Sequence, residues 1–286
     1  SQRPPPRVPD PGRTGRLSRS VSVVAQRFAA GVEYDGSKFF GWQVQSHARS
    51  IQSMLNAAIS TVADETLTTA AAGRTDTGVH ACGQVVHFDS AAPRSEYAWL
   101  RGINSNLPAD IAIQWVRTVP PDFHARYSAL ARTYCYVILN RPVRSALDRH
   151  RAWQVRTPLD ASLMQVAGQF LLGEHDFSSF RAAGCQSKSA VRRVDHLEVV
   201  RHGDYLTVEV RANGFLYHMV RNIVGSLVRV GSGEAEAGWT SELLALKDRR
   251  VAAPTAPSSG LFLAAVHYPD AFGFPPPPSR PVWSAE

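Results

Sequence analysis

The sequence has few of the features that mark disulfide-stabilised, metal-binding or membrane-spanning proteins. Its three cysteines, Cys82, Cys135 and Cys185, lie far apart and form no Cys-Xaa-Xaa-Cys pair. An odd number of separated cysteines is typical of a reducing compartment, so we expect no disulfides. The ten histidines show no metal-ligand spacing, and no apolar run approaches the length of a membrane span. These absences predict a cytoplasmic protein with no metal site and no membrane contact.

Acidic residues are also in short supply, with 24 Asp and Glu against 31 Lys and Arg, which gives a formal net charge of +7. Residues 1–26 contain five arginines and one aspartate, which leaves +3 for the rest of the chain. The charge total therefore supports a nucleic-acid partner only weakly for the folded part, and the positions of individual arginines matter more.

The two ends of the chain differ in composition from its centre. Residues 1–26 are rich in Pro, Arg and Ser and poor in large apolar side chains, so we predict a disordered basic tail that cannot bury enough surface to offset chain entropy. Residues 271–286 form a second, Pro-rich tail. Between them we distinguish an N-terminal half, 27–125, and a C-terminal half, 126–270, which together are long enough to bury a large core.

The pattern of the N-terminal half predicts a strand, a helix, a polar loop, a strand, a helix and a strand, in that order. Residues 28–34, 84–89 and 111–119 have strand-like patterns, and a helix is predicted near 95–104. Ser50 is placed to cap another helix, because the apolar residues after it follow the spacing i, i+3, i+4, i+7, i+8 and i+11: Ile51, Met54, Leu55, Ala58, Ile59 and Val62.

The C-terminal half repeats this kind of alternation. Strands are predicted at 133–139 and 261–267, a hairpin at 191–200 and 205–212, and helices at 161–172 and 217–230. Both halves resemble a split β-α-β unit. We therefore predict an α/β fold of the α+β kind, in which duplicated halves share one continuous, largely antiparallel mixed sheet.

The polar stretch Gly73–His80 stands between two apolar segments and has the composition of a loop. Arg74 and Asp76 are two residues apart, so in an extended loop their side chains could point the same way and the guanidinium would keep the carboxylate ionised. A plain Asx turn between two core elements explains the spacing equally well. A third interpretation, the Asp-Thr-Gly triplet of an aspartic protease, is disfavoured because no second such triplet occurs and Val79 stands where that family usually has Ser or Thr.

Residues 72–80 resemble the Gly-Arg-Thr-Asp-Ala-Gly-Val-His loop of the tRNA pseudouridine synthase A family, with Thr77 in place of the usual Ala. The resemblance spans roughly residues 27–270. It continues in order through Tyr34-Asp35-Gly36, Gly41-Trp42-Gln43, Asp122-Phe123-His124-Ala125-Arg126, Arg132-Thr133-Tyr134, Leu172-Gly173-Glu174-His175-Asp176-Phe177, His218-Met219-Val220-Arg221-Asn222 and Gly260-Leu261-Phe262-Leu263.

The resemblance implies a homodimeric isomerase with the pseudouridine synthase fold. Such an enzyme converts uridine to pseudouridine at positions 38, 39 and 40 of the tRNA anticodon stem-loop, without a metal or organic cofactor. It implies that Asp76 acts at the ribose, by addition or by proton abstraction. Tyr134 would stack on the uracil and assist proton removal from C5, Arg221 would pair with Asp76, and Leu261 would wall the pocket.

A uridine in an RNA stem must leave the stack before a pocket can reach it, at a cost of a few kcal/mol. The resemblance implies that Arg74 fills the gap that the uridine leaves in the stack. It also implies that phosphates are contacted by Arg94, Arg126 and Arg181. Each assignment has a plain alternative, because single exposed arginines and strand tyrosines are common, and His80 is expected to brace the loop. A catalytically silent RNA-binding module of the same fold is the alternative function, and the joint presence of Asp76, Tyr134 and Arg221 argues against it.

Overall fold

The computed structural model describes residues 25–276, which contain five α-helices and ten strands. The helices are α1 (Ile51–Ala63), α2 (Glu96–Asn106), α3 (Ala161–Gln169), α4 (Met219–Gly231) and α5 (Trp239–Leu246). The strands are β1 (Gln26–Tyr34), β2 (Ala70–Ala71), β3 (His80–Ser90), β4 (Ile111–Val119), β5 (Ala131–Asn140), β6 (Trp153–Val155), β7 (Gly173–Asp176), β8 (Val191–His202), β9 (Tyr205–Ala212) and β10 (Leu261–His267). The predicted disordered tail lies almost wholly outside the described residues, as does most of the Pro-rich tail.

All ten strands belong to one sheet. Its order is β4-β1-β3-β10-β5-β9-β8-β7, with β2 paired to β3 and β6 paired to β5. Neighbouring strands are antiparallel except for β3 with β10 and β5 with β6. The prediction of a largely antiparallel mixed sheet is confirmed, and β10 is the strand that joins the two halves.

The helices cover one face of this sheet. Along β10, Leu261 packs in the core beneath α3 and α4, and Leu263 packs in the core beneath α1. Side chains two residues apart on a strand lie on the same face, so the helices of both halves are on that face. The intervening Phe262 and Ala264 belong to a separate apolar cluster with Val137 on the opposite face.

The helix that follows Ser50 forms as predicted, because its first turn is closed by a capping box. Ser50 Oγ accepts the backbone N–H of Ser53, and the Ser53 hydroxyl oxygen accepts the backbone N–H of Ser50. The apolar stripe then packs against the sheet, with Ile51, Leu55 and Ile59 buried. The capping box sets where α1 begins, and the apolar stripe sets which side of the helix packs against the sheet.

Sequence patterns miss the shortest elements. β6 has three residues, and β7 is the polar run Gly-Glu-His-Asp, so neither carries a strand pattern of its own. Pairing with β5 and β8 makes them strands. The first residues of the predicted C-terminal tail also pack on the domain, where Phe272 and Phe274 contact Phe123 at ring-centroid distances of 5.0 and 5.4 Å.

Candidate active site

The polar loop leads from β2 into β3 and contains a tight turn at Asp76. The backbone N–H of Val79 donates to the carbonyl of Asp76 at 3.1 Å, and Gly78 has a φ of +78°, which a residue without a Cβ adopts most readily. The turn is therefore closed by backbone atoms. The Asp76 carboxylate instead faces α4, which is the geometry that distinguishes a site residue from a simple Asx turn.

Three neighbouring segments hold this loop in place. The Tyr34 hydroxyl lies 2.8 Å from Thr75 Oγ1, and Gln84 Nε2 donates to the Gly73 carbonyl at 2.6 Å. The backbone N–H of Trp42 donates to the Thr75 carbonyl at 2.9 Å. These bonds flank Asp76 on its N-terminal side, so its main chain is positioned by β1, β3 and the buried aromatic segment around Trp42.

Two nitrogen-bearing side chains meet the carboxylate of Asp76 from the start of α4. His218 Nε2 lies 3.2 Å and Arg221 Nη1 lies 3.6 Å from Asp76 Oδ2. Asp76 remains one-third exposed, while both partners are largely buried. The N-terminal end of a helix also carries partial positive charge, so α4 favours an anion at this point by its dipole as well. A second carboxylate, as an aspartic protease requires, does not occupy these positions.

The position of Arg221 depends on the segment that precedes β10. Arg221 Nε donates to the carbonyl of Ala256 at 2.7 Å, and the Ala256 N–H donates back to the Arg221 carbonyl at 3.2 Å. One turn along α4, a Cβ on Gly225 would lie 2.2 Å from the Pro254 carbonyl oxygen. The absence of a side chain at Gly225 is what lets this segment approach the helix closely.

A cavity of about 150 Å³ opens beside Asp76 and is walled by Tyr134, Phe215 and Leu261. It is smaller than the roughly 300–1,000 Å³ of sites for drug-sized ligands, and its flat aromatic wall suits a single ring. Tyr134 and Phe215 make an edge-to-face contact at 4.9 Å. Burial raises the pKa of Tyr134 to about 12, and the Asp76 charge acts in the same direction, so Tyr134 is a neutral phenol at pH 7.

Arg74 is exposed and lines this cavity together with two larger clefts on either side of the loop. The larger cleft, of about 770 Å³, is also lined by Arg126, Arg132, Arg192 and Tyr134. The second, of about 480 Å³, contains Asp76. Arg74 thus lines all three openings and Asp76 lines two of them, so a basic side chain lies where the carboxylate is exposed.

Two predicted phosphate contacts lie apart from these openings. Arg94 Nε donates to the carbonyl of Val62 at 3.3 Å, and Arg181 Nη2 donates to the carbonyls of Cys185 and Ser187, both at 2.8 Å. Neither lines any of the three clefts described above. The structure thus brings together Asp76, Tyr134, Arg221, Leu261, Arg74 and Arg126, and places Arg94 and Arg181 elsewhere on the surface.

Two histidines near the site have different surroundings. His80 accepts the Gly36 N–H at Nδ1 (3.1 Å) and donates from Nε2 to the His150 carbonyl (2.7 Å), so it braces the loop as expected. His218 was not among the predicted site residues, although it lies closer to Asp76 than Arg221 does. The signal that could have identified it is its place on the polar face of α4 beside Arg221.

Residues 25–276 contain neither a metal-binding cluster nor a helix suited to crossing a membrane. In that part of the chain, no three His, Cys, Asp or Glu side chains come together in a way that could hold a metal ion. None of its helices combines the length and the apolar character needed to cross a membrane.

Sequence comparisons agree with the geometry. The profile of the family described as "tRNA pseudouridine synthase" matches residues 30–128 and 167–269. A tRNA pseudouridine synthase A from Shigella boydii is 53% identical over 270 residues, covering 94% of this chain and all of the relative. The same-named protein of Salmonella typhimurium is 51% identical over the same coverage. The chain belongs to the tRNA pseudouridine synthase family.

Comparison with solved structures gives a weak match. A crystal structure of a Cbf5-Nop10-Gar1 complex aligns with 70% of this chain and 45% of its own chain, at 14% identity and a TM-score of 0.34. A likeness of that size supports no conclusion about the site.

Proposed function

We propose that this protein isomerises uridine to pseudouridine in tRNA, at positions 38, 39 and 40 of the anticodon stem-loop. The observation that carries the proposal is the Asp76 carboxylate, held against Arg221 and His218 at the mouth of a cavity walled by Tyr134 and Leu261. Membership of the tRNA pseudouridine synthase family supports the same reaction.

The reaction breaks the bond between N1 of uracil and C1′ of ribose and forms a bond between C5 and C1′. C5 then loses its proton and N1 gains one, so the product is an isomer and no other reactant is consumed. Asp76 acts at the ribose, where an anionic oxygen assists cleavage by adding to the sugar or by removing a ribose proton. Arg221, whose Nη1 lies 3.6 Å from Oδ2, keeps this carboxylate oriented.

Tyr134 and Leu261 line two sides of the cavity that receives the uracil base. The Tyr134 ring stacks on the detached uracil while it turns, and the apolar Leu261 wall leaves the base free to rotate because it offers no hydrogen bond. Since Tyr134 is a neutral phenol at pH 7 and not a standing phenolate base, its hydroxyl relays the C5 proton, releasing its own proton to solvent as it takes up the one from C5.

Arg74 and Arg126 guide the RNA to this site. The target uridine leaves the helical stack, which costs a few kcal/mol, and Arg74 occupies the space it vacates at the rim of the cavity. Arg126 lies along the larger cleft, where its exposed guanidinium meets the phosphate backbone. Arg94 and Arg181 contact phosphates further from the flipped base.

The protein acts as a homodimer in the cytoplasm and needs no cofactor. Two copies present more basic surface to one tRNA than a single chain does, and three separated cysteines that form no disulfide suit a reducing compartment. Sedimentation at micromolar concentration tests the assembly, and a fully active monomer would contradict it.

The reaction is tested with tRNA transcripts that carry tritium at C5 of uridine. Isomerisation releases this tritium to water, so we expect release that is limited by the number of target uridines. Sequencing of carbodiimide-treated product should place pseudouridine at positions 38 to 40. Binding of tRNA without tritium release would identify a catalytically silent RNA-binding module instead.

A further inference from the structure

His218 adopts an unusual backbone conformation for its position. Its φ is +59°, and the other described non-glycine residues with positive φ are Asp64 and Lys247. Those two are C-caps of α1 and α5, where a left-handed residue commonly ends a helix. His218 is instead the N-cap of α4, where an extended backbone is usual, and its side chain makes no capping hydrogen bond.

This conformation turns the imidazole toward the acid. Nε2 of His218 lies 3.2 Å from Asp76 Oδ2, and the ring packs against Tyr217 in a tilted arrangement, with a centroid distance of 3.9 Å and an interplanar angle of 31°. A strained backbone at a helix start that directs a ring onto a carboxylate is the pattern found at functional sites, where surrounding structure maintains the strain. The helix itself gains no cap from it.

The two partners of Asp76 are held in different ways. Arg221 is tied through Nε to the Ala256 carbonyl, and only its Nη1 turns to the acid, at 3.6 Å. His218 reaches the same oxygen more closely. Because the nearest contacts of both converge on Oδ2, the other carboxylate oxygen of Asp76 is the one presented to the ribose.

The charge state of His218 suits a supporting role. Burial lowers its pKa, the Asp76 carboxylate opposes this shift, and the positive charges of Arg221 and Arg249 add to the lowering. The ring is therefore neutral at pH 7, and a neutral imidazole has one N–H that can donate to the carboxylate oxygen. A neutral donor orients the carboxylate and leaves its negative charge in place.

We propose that His218 is a positioning residue for Asp76, which donates from Nε2 to Oδ2 and so directs the second carboxylate oxygen at the ribose of the flipped uridine. The proposal rests on the proposed function and adds to it a residue that acts through Asp76 without touching the substrate.

The test uses His218→Gly in the full-length protein, because glycine accepts the left-handed backbone and removes only the ring. We expect the tRNA dissociation constant to stay within about threefold and the single-turnover rate of tritium release to fall about 10- to 100-fold. Imidazole added at millimolar concentration should enter the space left by the ring and restore part of the rate. Imidazole should not restore Asp76→Asn, which lacks the group to be oriented.

The matched control is Asp64→Gly, which relieves the same kind of backbone strain at an exposed C-cap. It should leave the rate unchanged. A His218→Gly rate within threefold of the wild type, or a loss that imidazole does not restore, would overturn the proposal. A wild-type protein that releases no tritium would refute the proposed function, whereas tritium release by wild type and His218→Gly alike would refute this inference alone.

A second measurement does not depend on turnover. Nitrogen-15 NMR of labelled histidine should show His218 protonated at Nε2 at pH 7, with that signal altered in Asp76→Asn. The His80 signal serves as an internal reference, because its two ring nitrogens are hydrogen-bonded to the Gly36 N–H and the His150 carbonyl. A His218 signal that is the same in both proteins would contradict the contact.

Discussion

The two segments that form the site, residues 73–79 and residues 217–221, are held in opposite ways. The first is held at two backbone carbonyls, by the amide of Gln84 and the N–H of Trp42, and at the Thr75 side chain by the hydroxyl of Tyr34. The second starts a helix with a left-handed His218 and positions its side chains through the Ala256 carbonyl. The N-terminal half thus supplies a rigid acid, and the C-terminal half supplies the groups that orient it.

Because of this difference, the position of the Asp76 loop and the orientation of its carboxylate can be changed separately. A change to the Asp76 side chain should leave the loop in place, because backbone atoms close the turn. A change near α4 should shift the orienting groups, because their positions depend on close packing between the helix and residues 252–256.

Asp76→Asn should abolish pseudouridine formation while the loop persists. The change keeps the side-chain volume and one carbonyl oxygen but removes the charge that acts at the ribose. We expect tRNA binding within several-fold of wild type, a melting temperature within a few degrees, and no detectable product under single-turnover conditions. Substantial product from Asp76→Asn, in protein checked for deamidation to Asp, would make this loop a scaffold only.

Gly225→Ala should damage both stability and rate through the α4 side of the site. The added Cβ would lie 2.2 Å from the Pro254 carbonyl, so the segment that holds Arg221 must move. We expect a loss of about 1–3 kcal/mol in the free energy of unfolding, together with slower tritium release. Gly238→Ala is the control, because nothing lies within 4 Å of the added Cβ and both measurements should match wild type.

Arg74→Ala and Arg126→Ala should separate turnover from binding. Arg74 borders the base cavity, so its loss should reduce the single-turnover rate by up to about 100-fold, since the flipped base is no longer held in position. Arg126 lines only the larger cleft of the three, so its loss should weaken binding and lower the slope of log affinity against log salt by about 0.7 to 0.9. Weaker binding with an unchanged single-turnover rate in Arg74→Ala would assign Arg74 to the phosphate backbone as well.

We expect the folded protein to lose some stability in mild acid because of His87. Its Nδ1 accepts the Ala125 N–H, and burial, with the nearby charges of His124 and Arg27, lowers its pKa from 6.5 to about 4. Between those pH values the unfolded chain binds a proton that the folded protein excludes, so stability is full above pH 6.5 and falls as pH approaches 4. We expect a loss of about 1–3 kcal/mol, measured by urea unfolding. His87→Asn, which keeps an acceptor for Ala125, should show a smaller loss, and an equal one would contradict the assignment.

The parts of this molecule that sequence predicts are those set by local patterns. The α1 helix follows from Ser50 and a periodic apolar stripe, and the Asp76 turn follows from its own glycines. The meeting of His218 with Asp76 could not be predicted in this way, because it depends on how α4 seats against the loop before β10. The strand β7 was missed for a similar reason, since its polar residues become a strand only by pairing with β8.

The position of β10 has a consequence for how the protein is made. This strand comes last among the ten along the chain, yet it lies at the centre of the sheet between β3 and β5. A growing polypeptide on the ribosome therefore carries Asp76 and Tyr134 on two unjoined sheet edges, which are prone to mispairing until residues 261–267 emerge. The base cavity, which needs Leu261 as a wall, is completed only after β10 has emerged. Nascent chains that end before residue 261 should therefore not modify RNA, and truncations that remove β10 should yield aggregation rather than partial activity.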